Sequence, residues 1–225
     1  MPEFGIVLAI ARKDLLQELR SRAVTVATIF FSGIVLIILA FAIGQEERVL
    51  AGAAPGVLWV ALAFSGVISA AQSYQSELEE TAFEQLLLYP VPRATIFLGK
   101  LLANWLYMVL LGSLMLPVSA VFFDMPLGPG WPLLLLTVLL GTLGFGLIAT
   151  FYAALTANLR ARESLLPVLM FPVVVPILLA AVRATGAIVQ LGNFSLSLSW
   201  LQLLAGFDLV YLVVCTAIFH FVVEE

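Results

Sequence analysis

The sequence predicts an all-α integral membrane protein: six transmembrane helices behind an N-terminal interfacial helix, forming one transmembrane domain over residues 1–225. Three observations carry that prediction. Of 225 residues, 63% are hydrophobic and 11% charged, whereas a soluble domain runs at about 45–50% apolar and about 25% charged. The charges cluster, and between them lie six apolar stretches long enough for the roughly 20 residues that a helix needs to cross the hydrocarbon layer. Those stretches lack period-2 alternation and are too long for barrel strands.

Read from charge to charge, the spans fall at about 23–43, 52–74, 101–123, 131–157, 164–182 and 199–222. Ahead of them, over about 3–22, Phe4, Val7, Leu8, Leu15 and Leu19 recur at helical spacing while Arg12, Lys13, Gln17 and Arg20 take other faces. That pattern suits a helix lying in the membrane interface; a plain extension of the first span is the alternative. The run from Val24 to Ile43 exceeds a signal-peptide core, and no small-x-small cleavage pattern precedes Gln45, so the first span is expected to be retained.

Orientation follows the basic residues. Arg12, Lys13, Arg20, Arg22, Arg93, Lys100, Arg160 and Arg162 fall on one side, Arg48 and Arg183 on the other. Both termini are therefore expected in the cytoplasm.

The polar stretch between spans two and three reads as a short capped helix. Ser76 with Glu79, and Thr81 with Glu84, have capping-box spacing, and glutamates in a first turn suit the helix dipole. Pro90 and Pro92 stop it. Glu77, Glu80 and Glu84 share one face while Phe83, Leu86 and Leu87 take others. Composition leaves two readings open: a solvated acidic connector, or a knob offered to a cytoplasmic partner.

Small residues recur every fourth position at Ala61, Ser65, Ser69 and Ser73 in span two and at Thr142, Gly146, Thr150 and Ala154 in span four, which is the pattern of close helix packing in lipid. Span five holds Pro167, Pro172 and Pro176 and is expected to kink. Residues 183–198 are too polar to span, and read as an external loop or as two short helices dipping into the outer leaflet. Asp208 lies nine residues into span six, about 13 Å from Ser199. A carboxylate at that depth costs about 2.5–3.5 kcal/mol on insertion scales and must avoid lipid. It is either a neutral acid hydrogen-bonded within the bundle or part of a hydrated cavity.

Several chemistries are disfavoured. With net charge −4 and ten basic residues there is no basic face for phosphates, so no nucleic-acid partner is expected. One cysteine, Cys215, and one histidine, His220, cannot build a zinc site. Gly99-Lys100 is followed by Leu101, and no glycine stands five positions before Gly99, so there is no Walker A loop. No Ser-His-Asp set, histidine pair or carboxylate pair at catalytic spacing is present, so no catalytic residue, metal or cofactor is assigned to this chain alone. His220 is the one candidate nitrogen ligand, and its place among Phe219, Phe221 and the terminal glutamates suits an interfacial anchor better.

The order of elements resembles the membrane subunits of ABC-2 type exporters, and "EETAFEQLLLYPVPR" at 79–93 looks like their loop signature. Within that group the chain is similar to the CcmB family, the haem exporter permeases of bacterial cytochrome c maturation. "APGVLWVALAFSGVISA" at 54–70, "LGKLLANW" at 98–105 and "LLGTLGFGLIATFYAALTANLRARESLLPVLMFPVVVPILL" at 139–179 carry the likeness. The resemblance implies a multi-pass protein of the bacterial inner membrane that pairs with a second copy of itself and with a cytoplasmic ATPase subunit that binds ATP. It also implies a tryptophan-rich haem-handling membrane partner, with haem as the ligand handled by the complex. This chain's own Trp59, Trp105, Trp131 and Trp200 are scattered, unlike such a partner. Lacking a nucleotide site, the chain must receive force through a rigid cytoplasmic element, which makes Glu77, Glu79, Glu80, Thr81, Phe83, Glu84, Gln85, Leu86 and Arg93 the candidate ATPase-coupling residues. Translocation of haem and remodelling of a haem-loaded chaperone complex both fit. A generic ABC-2 permease for a lipid, glycan or drug is the alternative, and the resemblance assigns no role to Asp208.

Overall fold

The computed structural model describes residues 3–20, 22–44, 46–79, 91–125, 128, 130–156, 162–190 and 192–222. Seven helices occupy them: α1 (Glu3–Arg20), α2 (Arg22–Ile43), α3 (Glu47–Glu79), α4 (Arg93–Phe122), α5 (Trp131–Thr156), α6 (Arg162–Val189) and α7 (Phe194–Val222). Six of them, α2 to α7, are long and apolar enough to cross a membrane.

α5 sits at the centre, packed on α3, α4, α6 and α7. Its membrane window is 67% buried, against 22% for α2 and for α7, which therefore form the outer walls. The core joins Trp59, Leu62, Met108, Leu111, Phe145, Met170 and Ile177 from four helices. α1 lies along α4, and no Cβ would fit at Gly99, where Ile10 Cβ would approach to 2.7 Å.

Several helices run past the limits that charge spacing suggests. α4 begins at Arg93 rather than near 101, with Pro92 at its N-cap position and Thr95 N donating to Pro92 O at 2.9 Å. Lys100 thus stands inside the helix, and it is buried. α3 continues to Glu79, so Ser76 and Glu77 lie within the span-two helix and the Ser76–Glu79 pair starts no new helix. Likewise most of the described part of 183–198 belongs to the ends of two long helices. α6 runs to Val189 with all three prolines inside it, Gly192 turns with φ 55°, and α7 starts at Phe194. Asn193 caps α7: its Oδ1 accepts from Leu196 N at 3.0 Å and Ser195 Oγ at 2.8 Å. Asp208 then lies about 21 Å from either end of α7, deeper than a start at Ser199 implies.

The prolines of α6 free carbonyls that need other donors. Tyr211 of α7 donates to Val173 O at 3.3 Å, next to the Pro172 carbonyl that Pro176 cannot bond.

Candidate functional site

The acidic segment between α3 and α4 is the first candidate. Glu80, Thr81, Phe83, Glu84, Gln85 and Leu86 lie outside the described residues, as does the capped helix expected there. Glu77 and Glu79 belong to the last turn of α3, and Arg93 is the first residue of α4. Those two helix ends frame the segment.

Below that frame the structure reveals a polar seam absent from the sequence-derived site. Lys100, two turns into α4, is 1% exposed, and its Nζ donates to Asp14 Oδ2 of α1 at 3.3 Å. Lys13 reaches the other oxygen, Oδ1, at 3.0 Å from a more exposed position. One turn further along α1, Glu18 has a buried Oε1 with no hydrogen-bond partner among the described residues. Burial, with the charge of Asp14 adding to it, raises the Glu18 carboxyl from its ordinary 4.5 to about 7. Asp14, Glu18, Ser69, Asn104 and Tyr107 line a cavity of about 20 Å³, enough for one water molecule.

From this cavity hydrogen bonds step into the membrane. Ser69 Oγ donates to Asn104 Oδ1 at 3.5 Å, and Asn104 Nδ2 donates to Thr150 Oγ1 at 3.1 Å, tying α3 to α4 and α4 to α5. Thr28 of α2 bonds the Tyr107 hydroxyl, and Ser32 shares a bond of 2.5 Å with Ser65. The stripes of small residues therefore do more than admit close packing: Ser65, Ser69 and Thr150 are the hydroxyls that knit four helices. Their spacing was visible in the sequence. Their partners Ser32 and Asn104 stood in apolar runs, and pairing across 33 to 46 residues leaves no local signal.

A second candidate stands apart. Asp208 is buried, and neither carboxyl oxygen has a hydrogen-bond partner among the described residues. What admits the carboxyl is Gly144 of α5: a Cβ there would come within 2.3 Å of Asp208 Oδ1 and 2.7 Å of Ile177 Cδ1. His220 falls in the last turn of α7. No group of three or more histidine, cysteine or acidic side chains able to hold a metal occurs among the described residues.

Six apolar helices joined by buried polar pairs define a multi-pass, all-helical membrane protein. The family described as "CcmB protein" matches residues 5–224, nearly the whole chain, and the chain belongs to that family. Heme exporter protein B of Pseudomonas aeruginosa is 34% identical over 202 residues, 90% of each chain. The proteins of that name from Haemophilus influenzae and Escherichia coli K12 are 31% and 32% identical, over 78% and 79% of this chain and 79% and 80% of theirs.

Proposed function

We propose that this chain is the membrane permease subunit of an ABC transporter acting in haem export for c-type cytochrome biogenesis in the bacterial inner membrane. The match to the family across residues 5–224, with relatives named heme exporter protein B, carries this reading. In it the chain is a non-catalytic subunit, ATP is hydrolysed by a separate cytoplasmic subunit, and haem is the ligand handled by the complex. A second copy of the chain and a tryptophan-rich haem-handling membrane protein complete the assembly. Both termini and the acidic segment face the cytoplasm, the side of most basic residues.

The coupling element is the stretch from Glu77 to Arg93, including Glu79, Glu80, Thr81, Phe83, Glu84, Gln85 and Leu86. The geometry around its two ends supports the assignment. A push on this stretch enters α4 at Arg93, and within two turns α4 is gripped by α1 through the Gly99 contact and the Lys100–Asp14 pair. α4 and α1 would therefore move as one lever, and the Asn104–Thr150 bond would pass the motion to central α5. Asp208, buried against Gly144 and Ile177, is the intramembrane polar position of this permease.

The test is Glu80→Lys with Glu84→Lys in the assembled complex. The double variant is expected at normal levels in the membrane with stimulation of the partner ATPase lost. Unchanged stimulation would show a solvated face, whose charges matter by less than about 1 kcal/mol.

A further inference from the structure

At the end of the bundle away from the acidic segment, α3, α6 and α7 enclose a groove of about 430 Å³. It exists because its wall is built from small residues. Gly52 and Pro55 of α3 face Gly186 of α6, and a Cβ at Gly52 would meet nothing within 4 Å. Pro55 cannot donate to the Ala51 carbonyl. Gln190 does so instead, its Nε2 lying 3.4 Å from Ala51 O and 3.0 Å from Gly52 O, which closes the groove at its end.

Arg183 and Trp200 also line the groove. Arg183 stands three residues before Gly186 on α6, and Gln190 follows just beyond the helix end. The arginine lies about 9 Å inside the end of α6, within the window that otherwise reads as apolar span. It is exposed and makes no ion pair or hydrogen bond among the described residues. A guanidinium at that depth needs an anion or the headgroup layer, and its apolar stem reaches outward. Trp200 supplies the amphipathic ring typical of the same layer. No lining side chain is acidic, and none is a histidine, cysteine, methionine or tyrosine that could ligate iron.

We infer that this groove is a seat for one anionic phospholipid, with its phosphate on Arg183 and its upper acyl chain along Leu179, Val182 and Leu196. The charge complementarity selects that occupant: one guanidinium with no acidic side chain beside it balances an anionic phosphodiester and offers nothing to the ammonium of a zwitterionic lipid, while a haem would bring two propionates to one guanidinium and an iron to a wall without a ligand. Nothing in this assignment depends on what the permease carries.

The experiment is native mass spectrometry of the full chain in detergent, offered phosphatidylglycerol, phosphatidylethanolamine and haem separately and in competition. The wild type is expected to retain one phosphatidylglycerol at least tenfold better than phosphatidylethanolamine. Arg183→Gln should erase the preference. Gly52→Leu, which fills the groove and leaves Arg183 in place, should expel the lipid, with retention times on size exclusion confirming that both variants stay folded. Equal retention of the two phospholipids by the wild type would overturn the proposal. So would an undiminished preference in Arg183→Gln, lipid retention by Gly52→Leu, or one-for-one displacement of phosphatidylglycerol by haem.

Discussion

Asp14 and Asp208 are both buried carboxyls, 8% and 5% exposed, yet the fold treats them in opposite ways. Asp14 has two lysines, one of them fully enclosed, and sits where an interfacial helix meets a span. Asp208 has no hydrogen-bonding partner among the described residues and is housed by the missing side chain of Gly144. A paired charge can be permanent structure. An unpaired one in mid-membrane is costly, which makes Asp208 a candidate functional position.

Breaking the paired side should have the largest effect. Lys100→Met is expected to cost about 3 kcal/mol, the low end for an orphaned buried partner because Lys13 remains. Adding Asp14→Leu should recover most of that loss, since a buried ion pair is often replaceable by apolar side chains. Thermal unfolding of the detergent-purified chain checks both, and equal stabilities for single and double variants would place Asp14 in water.

The unpaired side should be sensitive to volume first. Gly144→Ala is expected to cost about 1–3 kcal/mol through overpacking, and clearly less in an Asp208→Ala background, because the two share one space. Additive costs would mean that the carboxyl does not rest on α5. Asp208→Asn, which keeps the shape and removes the charge, should lower cytochrome c assembly at normal protein levels. Full assembly would leave Asp208 without a role in transport.

A smaller effect, one of pH, sharpens the contrast within α1 itself. Because the folded-state pKa of Glu18 lies above its ordinary value, the folded protein holds that proton more tightly than the unfolded chain does. The resulting stabilisation is complete below about 4.5 and is lost as pH rises to about 7. Melting temperatures measured across that window should fall more steeply for the wild type than for Glu18→Gln. Solvent reaching part of this carboxyl keeps the difference modest.

The six spans were legible because apolar runs of span length admit few other fates. Helix ends were less so, and for a definite reason. Spacing between charges treats every charge as lying in water at a helix end, and here Lys100 and Arg183 both stand inside helices. Lys100 is hidden by Asp14 from 86 residues earlier, and Arg183 continues a span beside a groove. Asn193 caps the last helix, a role that its place in a polar stretch did not reveal. Of the candidate site, Asp208 was legible as an anomaly, although its lack of a partner was not. The seam through Asn104 and Tyr107 exists only between helices distant in sequence.

The Lys100–Asp14 pair also sets an order of events during synthesis. At about 5–20 residues per second, the ribosome delivers Lys100 on the order of ten seconds after Asp14. Throughout that interval α1 has no α4 to lie on, and Ile10 has no Gly99 to receive it. The N-terminal helix, first to be made, thus waits for the fourth helix before it can be seated. Substitutions at Gly99 or Lys100 should accordingly be felt as lower yield of assembled protein, before any defect in what assembled protein does.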